Sequence, residues 1–312
     1  MRYCERMSPR PHLPAPRASG PNRAEPGAPA TTGKPAAGRD AAHGFAAAFV
    51  AAALDDALAI AAAPGRARLY AISGLQGSGK STLAAQLAAA AQARGVRAAV
   101  LSIDDFYLGR RERLRLGRRV HPLLGTRGPP GTHDVALACT VLDDLREGAS
   151  VRLPRFDKLA DTRLPPSRWP QARGADLIVF EGWFLGAPAQ REDELIEPVN
   201  ALERDEDPDG VWRGYCNQAL ATDYPSLWSR LDRLLFLRPP GFEVVAGWRW
   251  QQEQALQARH PRRQAMTQAQ VRRFVSLFER VSRQALARLP DIADRTVVLD
   301  AQRRPVSMPA AR

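Results

Sequence analysis

Short apolar runs alternate with longer amphipathic stretches along this chain from residue 45 onward. Runs of strand character lie at residues 69–73, 96–103, 176–180, 231–237 and 296–299. Helical spacing of apolar residues predicts helices near 45–58, 81–94, 134–146, 244–259 and 267–289. Strands that are apolar throughout and separated by helices indicate a parallel sheet covered on both faces. The predicted fold class is therefore α/β, with three layers and a mainly parallel sheet.

A glycine-rich loop joins the first predicted strand to the helix that follows it. Residues 74–81 read GLQGSGKS and fit GxxxxGK[S/T], the P-loop pattern that wraps nucleotide phosphates. Glycines let the backbone turn its N–H groups inward, the lysine reaches the β- and γ-phosphates, and the serine hydroxyl can ligate Mg²⁺. A chance match is the alternative, but both flanks have the required strand and helix. The predicted nucleotide-binding residues are Gly74, Gly77, Ser78, Gly79, Lys80, Ser81 and Thr82, with Thr82 near the α-phosphate.

Carboxylates end two of the predicted strands. Asp104 and Asp105 follow the second strand, and Glu181 follows the third. Because the carboxyl ends of parallel strands line the ligand crevice, these acids should lie near the glycine-rich loop. We predict Asp104 as the base that accepts a proton from an alcohol, and Glu181 as a Mg²⁺ ligand together with Ser81. The alternatives are a strand cap or turn for the aspartates and an ion pair with an arginine for Glu181.

Two loops rich in glycine, proline and basic residues lie between the second and third strands. One reads HPLLGTRGPPGTHD at 121–134, and the other reads PRFDKLADTR at 154–163. Such loops are rigid and leave the backbone open to a polar ligand, and an arginine there can clamp a carboxylate through two hydrogen bonds. The predicted substrate-binding residues are Asp105, Tyr107, Arg127, His133, Asp134, Arg155, Lys158 and Arg163. Because a helix follows directly, a helix cap is the alternative role for His133 and Asp134.

Lysine is rare in this chain. Only Lys34, Lys80 and Lys158 are lysines among its 45 basic residues. A lysine in the folded part therefore indicates a need for a compact ammonium that a planar guanidinium would not replace. This favours Lys80 and Lys158 as site residues over chance surface positions.

The composition divides the chain of 312 residues into two parts. Residues 1–40 have hardly any large apolar side chains and are predicted to be a disordered tail, which leaves 41–312 as the folded domain. Within it, 110–173 are the predicted substrate loops and 191–225 is a charged insertion. Residues 244–289 form a predicted helical lid from which Arg249 and Arg259 would reach the phosphates. A solvated basic helix face is the alternative for these arginines.

The charge, the cysteines and the hydropathy of the chain indicate what kind of partner it has and where it is located. The net charge of +12 comes from scattered basic residues, which favours a solvated surface over a nucleic-acid partner. The three cysteines lie far apart and form no ligand cluster, as expected in a reducing cytoplasm. The most apolar stretch, 45–63, contains two aspartates, so no membrane segment is predicted. We expect a cytoplasmic protein that acts on a small molecule, with a monomer favoured.

Seven strings between roughly residues 65 and 300 form one set of motifs. They read GLQGSGKST, LSIDDFYL, HPLLGTRGPPGTHD, LPRFDK, DLIVFEGWFLG, WRWQQE and MTQAQVRRFV. This set resembles the plant-type D-glycerate 3-kinase family and its bacterial and fungal relatives, which belong to a wider group of P-loop kinases with uridine kinase, phosphoribulokinase and pantothenate kinase. In that group an aspartate ahead of an aromatic pair activates the acceptor, which matches Asp104 before Phe106 and Tyr107. The acid of the EG pair matches Glu181.

The resemblance implies a P-loop NTPase fold and a phosphotransferase that uses ATP and Mg²⁺. The implied reaction is phosphorylation of D-glycerate at its 3-hydroxyl, which gives 3-phosphoglycerate. Two alternatives remain. One is a kinase of another small alcohol, such as pantothenate, uridine or a sugar, and the other is a non-catalytic regulator that binds ATP.

Overall fold

The computed structural model describes residues 44–259 and 265–307, with a six-stranded sheet at the centre. In chain order the strands are β1 (Arg68–Gly74), β2 (Ala98–Ser102), β3 (Ser150–Arg152), β4 (Phe156–Asp157), β5 (Thr162–Arg163), β6 (Gln171–Arg173), β7 (Leu177–Gly182), β8 (Arg233–Arg238), β9 (Arg295–Leu299) and β10 (Pro305–Ser307). The central sheet has the order β10-β9-β8-β1-β7-β2, and only β10 runs antiparallel to its neighbour. The predicted tail, residues 1–40, lies outside the described residues.

Helices cover both faces of this sheet. They are α1 (Ala47–Leu58), α2 (Lys80–Ala93), α3 (Arg110–Arg119), α4 (Val135–Arg146), α5 (Ala201–Glu206), α6 (Val211–Thr222), α7 (Pro225–Trp228), α8 (Glu243–Arg259), α9 (Gln268–Ser276) and α10 (Glu279–Ile292). None of the helices in the described ranges is long and apolar enough to span a bilayer.

Alternation of side chains along the strands produces two separate apolar cores. In β1, Tyr70 and Ile72 point to the face covered by α1 and α2, whereas Leu69 and Ala71 point to the face covered by α4, α6 and α10. All four side chains are fully buried. A central strand buried on both faces must be apolar throughout, which is the pattern that the sequence shows. The predicted three-layer α/β fold with a mainly parallel sheet is confirmed.

The carboxyl ends of the three strands β1, β7 and β2 lie side by side. Glu181 of β7 is opposite Ile72 of β1 on one side and Ser102 of β2 on the other. This register brings the loop after β1 and the residues after β2 to one edge of the sheet.

Two parts of the sequence-based fold prediction were wrong. The single helix expected at 267–289 is two helices, because the chain turns at Leu277 and Phe278 and packs the Phe278 ring against Trp183 and Phe274, with ring centroids 5.1 and 4.9 Å away. The segment 110–173, expected to be irregular apart from α4, contains α3 and two small antiparallel pairs, β3 with β6 and β4 with β5.

Candidate active site

The glycine-rich loop connects β1 directly to α2. Gly77 and Gly79 have φ of 84° and 93°, in the left-handed region that glycine adopts without strain. This backbone lets α2 begin at Lys80 with its first N–H groups facing the loop. Lys80 is buried, and its Nζ donates to the Leu75 carbonyl oxygen at 3.0 Å. Burial lowers the pKa of Lys80, an effect that the charges of Glu181 and Asp104 oppose.

Two residues outside the predicted site hold this loop from outside. A Cβ on Gly77 would lie 2.6 Å from the Trp248 Cβ, so the α8 side chain packs directly on the loop. Arg303, in the turn between β9 and β10, donates from Nε to the Gly77 carbonyl oxygen at 2.6 Å. Its guanidinium lies 5.0 Å from the centroid of the Trp248 ring. The α8 helix and the β9–β10 hairpin therefore meet at the glycine-rich loop.

Several buried polar atoms in the loop lack partners within the described residues. They are the Ser78 hydroxyl oxygen and both amide atoms of Gln76. Buried polar groups are normally hydrogen-bonded, so unpaired ones around an N–H-lined loop fit a site that binds a polar ligand. The loop residues thus fit a bound nucleotide.

Ser81 and Glu181, the predicted Mg²⁺ ligands, are in contact beside the loop. The Ser81 hydroxyl donates to the Glu181 Oε1 at 2.8 Å. Burial raises the pKa of Glu181, although the nearby Lys80 charge opposes this. The described ranges contain no group of three or more His, Cys, Asp or Glu side chains placed to hold a metal. Mg²⁺ is commonly held by one or two protein oxygens, with phosphates and water completing its shell, so this pair fits it.

Asp104 lies in a single turn of 3₁₀ helix after β2 rather than at the strand end that the sequence predicted. The Ser102 hydroxyl caps this turn by accepting from the Asp104 N–H at 3.3 Å. Lys158 Nζ donates to Asp104 Oδ2, and the Tyr107 hydroxyl donates to Oδ1, both at 2.6 Å. Burial alone would raise the pKa of Asp104, but the Lys158 charge and these two hydrogen bonds hold it well below the ordinary range. Asp104 is therefore an ionised carboxylate.

The neighbouring Asp105 has a different environment. Its carboxylate accepts from Arg155 at 3.0 Å and from the Phe156 backbone N–H at 3.1 Å. Burial raises the pKa of Asp105, with Arg155 opposing. Asp105 thus fastens the β4–β5 hairpin, whose tip carries Lys158, to the turn that carries Asp104.

The predicted substrate-binding arginines of both loops have acidic partners. Arg127 pairs with Asp161 at 2.5 Å and donates to the Lys158 carbonyl oxygen at 3.2 Å. Arg163 pairs at 2.9 Å with Asp134, which caps α4 by accepting from the Leu137 N–H. The helix-cap alternative thus describes the geometry of Asp134. Substrate contact by these side chains stays a prediction.

His133 is 6% exposed and lies against Tyr107, with ring centroids 4.7 Å apart. Its Nδ1 is 2.6 Å from the hydroxyl of Tyr224, a residue that the sequence did not indicate, and its Nε2 has no partner within the described residues. Burial lowers the pKa of His133 to about 3, with the Asp104 charge opposing. The imidazole is therefore neutral at physiological pH.

The arginines of the predicted lid lie on α8. Arg249 pairs with Glu253 at 3.3 Å, and its guanidinium lies 5.8 Å from the centroid of the Phe274 ring on α9. Arg259 is the last residue of α8. A role in contacting phosphate stays a prediction for both.

Comparison with known proteins gives three kinds of similarity. The family model of the methylmalonyl-CoA mutase-associated GTPase MeaB matches residues 47–107, the part that holds the phosphate loop and Asp104. The chain is 35% identical over 208 residues to the uncharacterized kinase mug58 of Schizosaccharomyces pombe, covering 62% of this chain and 73% of that protein. It is 30% identical over 215 residues to the chloroplastic D-glycerate 3-kinase of Arabidopsis thaliana, covering 65% of this chain and less than half, 44%, of the plant enzyme.

A solved structure extends the similarity to the fold. The D-glycerate 3-kinase from Cryptococcus neoformans superimposes with a TM-score of 0.69 at 24% identity, covering 84% of this chain and 97% of that one.

Proposed function

The chain belongs to the kinase family that includes its fission yeast relative and plant D-glycerate 3-kinase, and from that premise we propose that it phosphorylates D-glycerate. The enzyme class is a phosphotransferase with an alcohol group as acceptor. The proposed reaction transfers the γ-phosphate of ATP to the 3-hydroxyl of D-glycerate and gives 3-phosphoglycerate. A cytoplasmic location, a monomeric state and the absence of a nucleic-acid partner stay predictions.

The observation that carries the proposal is an aspartate beside the glycine-rich loop whose carboxylate accepts from the Lys158 ammonium and the Tyr107 hydroxyl. Phosphoryl transfer needs a carboxylate that receives the proton of the acceptor hydroxyl, and cations that offset the phosphate charge. Asp104 supports the first role, because its two hydrogen bonds leave further lone pairs for a substrate hydroxyl. Lys80 and Lys158 support the second. Ser81 and Glu181 would hold Mg²⁺, which neutralises phosphate oxygens when it is bound.

Cations beside Asp104 support a small anionic alcohol as the substrate. Lys158 contacts the proposed base directly, and Arg127 contacts the backbone of Lys158. Because Arg127 also pairs with Asp161, a substrate carboxylate would share this guanidinium with a protein acid. A planar guanidinium can accommodate two carboxylates through its five donors.

A substrate screen tests the identity of the acceptor. ADP release would be measured with D-glycerate, L-glycerate, pantothenate, uridine and ribulose 5-phosphate at saturating ATP and Mg²⁺. We expect D-glycerate to give the highest kcat/KM. A higher value for another alcohol would replace glycerate in the proposal and leave the enzyme class standing.

The substitution Asp104→Asn tests the base. We expect kcat to fall by about 10²-fold or more, because the amide cannot take up the proton. ATP affinity, measured by isothermal titration, should stay near the wild-type value. Asp105→Asn serves for comparison, since its carboxylate contacts Arg155 and the backbone. Near-normal turnover in Asp104→Asn would show that the base assignment is wrong.

A further inference from the structure

The protonation state of His133 can be derived from its surroundings. The ring is enclosed by the aromatic rings of Tyr107, Phe184 and Tyr224, with centroids 4.7, 5.6 and 5.9 Å away. Because burial lowers its pKa to about 3, His133 is neutral and carries one proton on either Nδ1 or Nε2.

Tyr224 decides which nitrogen carries that proton. Its hydroxyl oxygen accepts from the Gly131 N–H at 3.1 Å and lies 2.6 Å from His133 Nδ1. Burial raises the pKa of Tyr224 well above 10, so the phenol keeps its single proton. Within the described residues this hydroxyl has two hydrogen-bond partners, the Gly131 N–H, which is a donor, and Nδ1, which can accept. Nδ1 is therefore the acceptor, and the imidazole proton is on Nε2.

The Nε2–H group then lies on the ring edge that is turned away from Tyr224, and it has no acceptor within the described residues. Tyr107, whose ring packs at a tilt against His133, also donates from its hydroxyl to Asp104. The Asp104 charge is close enough to act on His133. An unpaired, buried donor thus lies on a ring that packs against Tyr107, the residue that donates to the proposed base.

We propose that Tyr224 is a positioning residue that holds His133 with its proton on Nε2, so that His133 donates a hydrogen bond to an oxygen of the acceptor substrate. This inference rests on the proposed function and narrows the substrate class. The substrate is a hydroxy acid or similar alcohol with an acceptor oxygen near the reacting hydroxyl. A neutral donor can bind such an oxygen without protonating Asp104.

The proposal also gives a role to the charged segment 191–225, which the sequence analysis treated as an insertion. Tyr224 lies near its end, just after α6. Tyr215 of α6 packs against Gly131, where a Cβ would lie 2.5 Å from its ring. The segment 191–225 therefore packs against the loop 121–134 and supplies the Tyr224 hydroxyl that orients His133.

Nuclear magnetic resonance of the free protein tests the proton position. In ¹⁵N-labelled protein, long-range ¹H–¹⁵N spectra distinguish a protonated from an unprotonated ring nitrogen. The chain has five histidines, so the signals missing in His133→Gln identify His133. We expect a protonated Nε2 in the wild type and a mixture of both forms in Tyr224→Phe. A proton on Nδ1 in the wild type would overturn the inference while leaving the proposed function intact.

Steady-state kinetics tests the substrate contact. Tyr224→Phe keeps the ring and should raise KM for the acceptor about 10-fold through a weakened hydrogen bond, with KM for ATP unchanged. Tyr215→Phe, which alters the other tyrosine at Gly131, is the matched control and should leave both KM values unchanged. Equal effects in the two variants would indicate loop support alone.

Substitution of His133 itself separates donation from packing. The amide of His133→Gln can donate from a position near that of Nε2, whereas His133→Leu has no donor. We expect His133→Gln to keep a lower acceptor KM than His133→Leu. Equal loss in both would contradict the proposal. If the substrate screen identifies an acceptor other than D-glycerate, the same ratios are measured with that acceptor, so a failure of this inference stays distinct from a failure of the substrate assignment.

Discussion

The Asp104 carboxylate has two donors of different kinds, the Lys158 ammonium and the Tyr107 hydroxyl. The lysine is mostly solvent-exposed and its partner is largely buried, so the environment of the proposed base depends on an ammonium at the tip of a hairpin. The Asp104 charge is the main influence that raises the pKa of Lys158, and Lys158 in turn helps to lower that of Asp104. Each group thus favours the charged form of the other.

Replacement of Lys158 should change the pH dependence of the reaction. The pKa of Asp104 is lower in the folded protein than in the unfolded chain, where it is about 3.9. At any pH above about 3.9 the carboxylate is therefore ionised, and its charged form stabilises the fold. That contribution is lost only as the pH falls through the lower folded value. In Lys158→Gln the Asp104 carboxyl stays buried but loses the ammonium, so its pKa should rise. The acidic limb of the kcat/KM profile should then move to higher pH. Lys158→Arg keeps the positive charge and should restore most of the wild-type limb, even though its planar guanidinium need not restore kcat. An unmoved limb in Lys158→Gln would contradict the pairing.

At the level of elements, the glycine-rich loop packs against α8 and the turn between β9 and β10. Gly77 faces Trp248 of α8, and the next residue back along α8 is Gly247, around which a Cβ would meet nothing within 4 Å. The glycine that faces Trp248 therefore has no room for a side chain, whereas the glycine that precedes Trp248 in α8 has open space.

Alanine at these two glycines should have opposite effects. Gly77→Ala places a Cβ 2.6 Å from the Trp248 Cβ at a φ of 84°, which should weaken ATP binding about 10-fold or more because the loop backbone must shift. Gly247→Ala should stabilise α8 by roughly 0.5–1 kcal/mol, since alanine loses less backbone entropy than glycine in a helix. Titration with ATP and urea unfolding would measure the two effects. Wild-type ATP affinity in Gly77→Ala would contradict the packing argument.

The sequence predicted elements whose signal is local. The apolar strands, the glycine loop, Asp104 and Glu181 follow from patterns within a few residues, and the parallel sheet then brings them to one edge. The β4–β5 hairpin has strands of two residues each, too short for a periodic signal. The contact between His133 and Tyr224 joins residues 91 positions apart. Such a contact leaves no local pattern that could be read from one sequence.

At the scale of the whole molecule, a buried ion pair fastens the segment 191–225 to α10. Both carboxylate oxygens of Glu203 accept from Arg280, at 2.8 and 2.7 Å, and both side chains are almost fully buried. Arg280 also donates to the carbonyl oxygens of Glu194 and Glu197. The packing of the segment 191–225 behind the loop 121–134 thus depends on a charge pair that water hardly reaches.

Removal of one member of this pair should destabilise the protein strongly. Glu203→Gln leaves the Arg280 charge buried without its counter-charge, at a cost of about 3–5 kcal/mol. The double variant Glu203→Met with Arg280→Met should recover part of this loss. Asp193→Asn, in the exposed pair with Arg191, is the control and should leave the free energy of unfolding unchanged within error. Urea unfolding measures all three, and a small loss in Glu203→Gln would contradict the role of the pair.

The Arg303 contact with Gly77 has a consequence for biosynthesis. The two residues are 226 positions apart, so the phosphate loop leaves the ribosome long before the arginine that binds its carbonyl oxygen. Domains are synthesised from the N-terminus at about 5–20 residues per second, which separates the two events by roughly ten seconds or more. A stalled nascent chain that ends before Arg303 should bind ATP more weakly than one that includes it. Nucleotide should therefore favour the folded state of the nascent domain more strongly once the β9–β10 hairpin has emerged.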